Sequence, residues 1–196
     1  MTAVILAAGL SKRFAGKKLL MKINGKPMAK HVADLVAAMD FERKVFVYSD
    51  QEVLKAVFGN GGKASGFTFV HNPRAEQGLS TSVRLALEAG AADGIMFFVG
   101  DQPFIDEDTV KKLLDAFYQK RGSIVVPVYG GRRGNPVVFS SKWIDQLNKL
   151  EGDVGGREII RENASEVCEV AVENPQIGMD IDTEEEFYTA GHGERN

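Results

Sequence analysis

The residues of this chain whose types and spacing could do chemistry begin with a small-residue loop near the N-terminus. The run Thr2-Ala-Val-Ile-Leu6 leads into Ala7, Ala8 and Gly9, and Lys12, Arg13, Lys17 and Lys18 follow closely. Residues with almost no side chain let backbone N–H groups come close to an anion. Arg13 can then grip phosphate oxygens with a planar fork, and Lys17 or Lys18 can supply a compact charge on a flexible stem. The combination suits a polyphosphate, and so a nucleotide. It is neither a Walker A loop nor a GxGxxG turn. Alone, the segment is equally the first strand-to-helix connection of any α/β domain.

Two acidic positions could complete such a site. Asp101 in Ile95-Met-Phe-Phe-Val-Gly100-Asp101 stands directly after an apolar run that reads as a buried central strand, at the sheet end where ligands bind. A carboxylate there can hold Mg²⁺, which takes one or two protein carboxylates together with phosphate oxygens. It can also be a turn residue before Pro103. Asp182, in Asp180-Ile-Asp182-Thr183-Glu184-Glu185-Glu186, reads first as a helix cap, a role compatible with holding a metal. Gly78-Leu-Ser80-Thr-Ser82 offers hydroxyls at a helix start, for a base edge, a ribose or a plain cap. Gly152-Asp153-Val-Gly-Gly-Arg157 offers one acid and one base in a flexible loop that could clamp an acceptor.

These residues need a scaffold that brings strand ends together. Strands are expected at Val4–Ala7, Val45–Tyr48, Phe67–His71, Ile95–Val99, Ile124–Val128, Val137–Ser140 and Val167–Val172. Between them Met28, Val32, Leu35, Val36 and Met39 share one helical face, as do Val110, Leu113, Leu114 and Phe117. The alternation implies a mainly parallel sheet covered by helices on both sides. Tyr129-Gly-Gly-Arg132-Arg133-Gly134 breaks it with a hairpin, a small antiparallel excursion that could cover an acceptor pocket.

Composition narrows the function classes. The chain has 196 residues, 44% of them hydrophobic, and a net charge of −3, which fits a single domain over residues 1–190 with a polar frayed tail over 191–196. The charge argues against nucleic-acid binding. Cys168 is the one cysteine, so no internal disulfide or structural zinc is expected. No apolar stretch reaches the length of a membrane span and no signal peptide is legible, so a soluble cytoplasmic protein is expected. His31, His71 and His192 are scattered and form no triad.

Taken in order, LAAGLSKRF, KKLL with NGKPM, NP…GLSTSV, GDQP, GRRGNPVVF, GDVGGR and DIDTEEEF resemble the MobA-like nucleotidyltransferase family, most closely its molybdenum-cofactor cytidylyltransferase branch. The resemblance covers nearly the whole chain. It implies a Rossmann-like three-layer nucleotidyltransferase fold and Mg²⁺-dependent transfer of a nucleoside monophosphate to an acceptor phosphate, with release of pyrophosphate. It further implies nucleotide contacts from Leu6, Ala7, Ala8, Gly9, Arg13, Lys18, Gly78, Ser80, Ser82 and Asp101, with Lys18, Arg13 and Asp101 catalytic. Asp101 and Asp182 would hold the metal, and Asn135, Asp153 and Arg157 would face the acceptor. LAAG, where the guanylyl branch has LAGG, points to CTP. Molybdopterin is the implied acceptor, and a molybdenum hydroxylase a possible partner. Phe14, Gln102 and Asn135 depart from the commonest pattern of that branch. Other readings are GTP or a sugar or polyol phosphate as substrates, a non-catalytic maturation factor, and a flavodoxin-like module for another ligand.

Overall fold

The computed structural model describes residues 1–9, 17–59, 66–90, 92–119, 122–181 and 186. The expected strands and helices are present. The strands are β1 (Thr2–Ala7), β2 (Lys22–Ile23), β3 (Lys26–Pro27), β4 (Arg43–Tyr48), β5 (Phe67–His71), β6 (Gly94–Val99), β7 (Ile124–Tyr129), β8 (Arg132–Arg133), β9 (Val137–Ser140) and β10 (Val167–Val172). The helices are α1 (Met28–Ala38), α2 (Gln51–Phe58), α3 (Leu79–Glu88), α4 (Glu107–Tyr118), α5 (Ile144–Asn148) and α6 (Arg157–Glu162).

Side chains of β1 alternate between two cores, as a strand buried on both faces requires. Ala3, Ile5 and Ala7 pack beneath α1, α2 and α4 with Val32, Val36 and Leu113. Val4 and Ala8 pack on the opposite face with Val83 and Ala86 of α3, Leu147 of α5 and Ile160 of α6. The result is the expected three-layer α/β arrangement around a mostly parallel sheet.

Sheet order is β10-β7-β9-β6-β1-β4-β5, with β8 paired to β7. β1 lies parallel to both β4 and β6, so the chain leaves the sheet centre in opposite directions on either side of β1. That reversal opens a crevice at the carboxyl ends of β1 and β6. β9 is antiparallel to both β6 and β7. The antiparallel excursion lies inside the sheet, because β9 uses the hydrogen-bonding edges of both neighbours, while β7 and β8 form the tight hairpin.

A small third cluster, Ile23, Met28 and Ile181 with Phe104, ties the β2–β3 hairpin to the chain's late segment. The Ile181 N–H donates to the Asp101 carbonyl at 3.3 Å. Distant sequence is thereby held against the end of β6.

Candidate active site

A cleft of about 860 Å³ lies over the carboxyl ends of β1 and β6. Its β1 side is Leu6, Ala8 and Gly9; its β6 side is Val99, Gly100 and Asp101. The Gly100 N–H donates to the Leu6 carbonyl at 3.0 Å, extending the ladder one step past the strand. The backbone is thus pinned up to the residue before Asp101, and the carboxylate is delivered into the cleft from a rigid support.

Lys17 and Lys18, indistinguishable by type, take different roles. Lys17 points outward, its side chain 47% exposed, and pairs with Asp50 at 2.8 Å and Glu52 at 2.7 Å. The hydrogen bond from Lys17 holds the Asp50 carboxyl below its usual range. Lys18 is 7% exposed and donates from Nζ to Asp101 Oδ2 at 2.7 Å, with Asp101 29% exposed. Leu19, buried in the adjoining core, anchors the turn that turns Lys18 inward. An ammonium and a carboxylate from positions 83 residues apart are therefore fixed side by side, in a crevice where partial exclusion of water strengthens their electrostatic action.

The far wall is the start of α3. Gly78 and Ser82 line the cleft, as do Glu76 and Gln77. Ser82 Oγ accepts from Asn72 Nδ2 at 2.8 Å, and the same amide donates to Thr81 Oγ1 at 2.9 Å. Asn72 is itself tied to the end of β4 through the Tyr48 carbonyl, so it fixes which way the α3 hydroxyls face. Ser80 is fully buried and does not line the cleft. Ala7 is likewise buried beneath the lining residues Leu6 and Ala8.

The loop 152–156 closes the remaining side. The Asp153 carboxylate accepts from the Leu79 N–H at 3.3 Å and the Gly152 carbonyl from the Ser80 N–H at 3.2 Å. Asp153 therefore caps α3 from another part of the chain, a role its place in a glycine-rich loop did not reveal. Asn135 and Arg157 line the cleft beside it. Gln102, by contrast, is buried and donates from Nε2 to the Gly178 carbonyl at 3.2 Å.

Of the expected site residues, Leu6, Ala8, Gly9, Lys18, Gly78, Ser82, Asp101, Asn135, Asp153 and Arg157 all line this one cleft. Arg13 and Asp182 lie outside the described residues, as does the tail over 191–196. Asp180, which the sequence pattern does not single out, also lines the cleft. The signal available was that Asp180 and Asp182 flank Ile181, whose burial orients the segment. Among the described residues no cluster of three or more potential metal ligands occurs. No helix among them is long and apolar enough to cross a membrane.

The chain is 26% identical over 190 residues to the molybdenum cofactor cytidylyltransferase of Escherichia coli, covering 95% of this chain and 93% of the relative. A probable molybdenum cofactor guanylyltransferase from Thermococcus sibiricus is 26% identical over 178 residues, covering 89% and 86%. The solved structure of Rv0371c from Mycobacterium tuberculosis superposes with a TM-score of 0.82 at 25% identity, covering 97% of this chain and 96% of that one. Residues 3–167 match the model of the MobA-like NTP transferase domain. With the nucleotide-sized cleft, the inward Lys18 and the strand-end Asp101 in place, the chain belongs to the MobA-like NTP transferase family and is a nucleotidyltransferase.

Proposed function

We propose that this enzyme moves CMP from CTP to the terminal phosphate of a molybdopterin-type acceptor in a Mg²⁺-dependent reaction, releasing pyrophosphate. The observation that carries the reading is the Lys18–Asp101 pair at the mouth of β6. It sets a fixed positive charge beside a carboxylate suited to Mg²⁺, in the crevice lined by the phosphate-type loop.

In this reading an oxygen of the acceptor phosphate attacks the α-phosphorus of CTP in line. A new P–O bond forms, the bond to the bridging oxygen breaks, and pyrophosphate carries away the electron pair. The attacking phosphate is already ionised near neutral pH, so no general base is needed. Lys18 stabilises charge on the transferring phosphate, and Arg13 and the N–H groups around Ala7, Ala8 and Gly9 hold the phosphate chain. Gly78 and Ser82 border the base, and Ser80 shapes α3 from behind. Asn135, Asp153 and Arg157 face the acceptor, with Asp153 acting through the loop it ties down.

Asp101 fits a metal role by chemistry and exposure: a hard oxygen donor, partly open to the cleft. Asp182 would join it, and the anchoring of Ile181 on the Asp101 carbonyl supports that pairing. When bound, Mg²⁺ would neutralise developing charge on the phosphate oxygens. Relatives of both the cytidylyl and guanylyl kind match equally well in identity, which keeps GTP as the second reading; LAAG favours CTP. A cytoplasmic setting and hand-over of product to a molybdenum hydroxylase are consistent with this function.

The test is Mg²⁺-dependent pyrophosphate release from CTP and from GTP, each with and without molybdenum-loaded molybdopterin. Release only with CTP and acceptor is expected. Lys18→Ala should lower kcat by about 10²–10³-fold and Asp101→Asn should abolish Mg²⁺-dependent turnover, both with unchanged circular dichroism. Release from GTP alone among the nucleotides would replace the CTP assignment, and full activity of Asp101→Asn would remove the metal role.

A further inference from the structure

A second hollow of about 420 Å³ opens beside the cleft and shares Asn135, Arg157 and Asp180 with it. One molecule can therefore occupy both. Its wall is a fitted assembly rather than a surface dent. The Tyr129 ring lies against Gly134 and Gly178, where a Cβ at position 134 would come within 2.8 Å of the ring and one at position 178 would overlap it. Burial pushes the Tyr129 phenol well above its usual range. It stays protonated and donates to the Asn135 carbonyl at 2.8 Å, so the residue at the boundary between cleft and hollow is held in place. Gln102 fastens the same wall through the Gly178 carbonyl.

The charge of this hollow is lopsided. Among the described residues, Arg132, Arg133 and Arg157 line it against the single carboxylate of Asp180. Arg133 is already matched by Glu169 at 2.7 Å. The Arg132 and Arg157 side chains have no ion pair or hydrogen bond among the described residues. Guanidinium forks left unpaired in a concave wall bind oxyanions bidentately. The hydroxyls of a neutral sugar ring or a polyol chain would accept hydrogen bonds from them without the charge and the bidentate geometry of an oxyanion.

We propose that the hollow binds a second oxyanionic group on the acceptor, carried at the end remote from the reacting phosphate and gripped by Arg132 and Arg157. That the ligand is the acceptor rests on the nucleotidyl-transfer reading; that the hollow takes an oxyanion rests on its own residues. The acceptor class is thereby narrowed to phosphate esters with a further carboxylate, phosphate or comparable oxyanion.

The test compares two open-chain probes that differ only at the remote end, 6-phosphogluconate with its carboxylate and glucitol 6-phosphate with a hydroxyl. Binding is measured by calorimetry on the full chain saturated with the non-transferable analogue α,β-methylene-CTP. We expect 6-phosphogluconate to bind about 10-fold tighter, and Arg132→Gln to erase the preference while the analogue still binds as before. Equal affinity of the two probes, no binding of either, or a preference that survives Arg132→Gln would overturn the proposal. If the analogue itself fails to bind, the nucleotide reading falls instead, and the same comparison on the nucleotide-free protein still decides whether the hollow takes an oxyanion.

Discussion

Lys17 and Lys18 are chemically identical neighbours, and what separates them is the turn they occupy. Lys17 is drawn to the carboxylates at the start of α2, those of Asp50 at its cap and Glu52 in its first turn, and Lys18 is drawn inward over Asp101. A buried ammonium persists only where a matched carboxylate compensates its lost hydration, so the inward position requires Asp101 as much as Asp101 requires a counter-charge. Gly78 shows the same specificity in the backbone. Its φ of +108° is closed to side-chain-bearing residues, and a Cβ there would strike the Gly152 carbonyl. Gly78→Ala is expected to destabilise the protein by about 1–3 kcal/mol and to raise KM for the nucleotide, because the cleft wall must move to admit the methyl group. Thermal melting and steady-state kinetics check the two effects together.

Helix α3 has no side-chain cap of its own, since Gly78 stands at its N-cap position. The loop 152–153 supplies two acceptors to its first N–H groups instead. The α3 wall and the 152–156 wall of the cleft are thereby one mechanical unit, although 74 residues separate Leu79 from Asp153. Asp153→Ala should remove about 1 kcal/mol of capping stability and raise KM for both substrates. Asp153→Asn, which keeps an oxygen acceptor, should restore most of each. A residue acting only on acceptor charge would fail in both variants alike, so the pair of KM values distinguishes the roles.

Across the molecule, carboxylates paired at the surface contribute a small, solvent-screened part of the stability lost in acid. Asp50 is held below its usual range by the hydrogen bond from Lys17, and Glu166 by the hydrogen bond from Lys142 and then that from Ser123. For a depressed carboxylate, the stabilisation is complete above the unfolded-state value and disappears as pH falls through the folded one. Stability from these groups should therefore be flat near neutrality and fall below about pH 4. Chemical denaturation between pH 7 and pH 3 measures it. Lys17→Met should shrink the acid loss, because the unpaired Asp50 would titrate closer to its free value.

Local chemistry in the sequence was sufficient for much of this. The continuous apolar runs of β1, β4 and β6 prescribe strands buried on both faces, and the small or polar residues that follow β1 and β6, Ala8-Gly9 and Gly100-Asp101, mark where the chain leaves the sheet. Strand pairing, however, is a choice among long-range partners that no local pattern encodes. The insertion of β9 between β6 and β7 is such a choice, and so are the capping of α3 by Asp153 and the inward turn of Lys18 rather than Lys17. Each joins groups distant along the chain, or distinguishes chemically equal neighbours, through packing that exists only once the sheet is assembled.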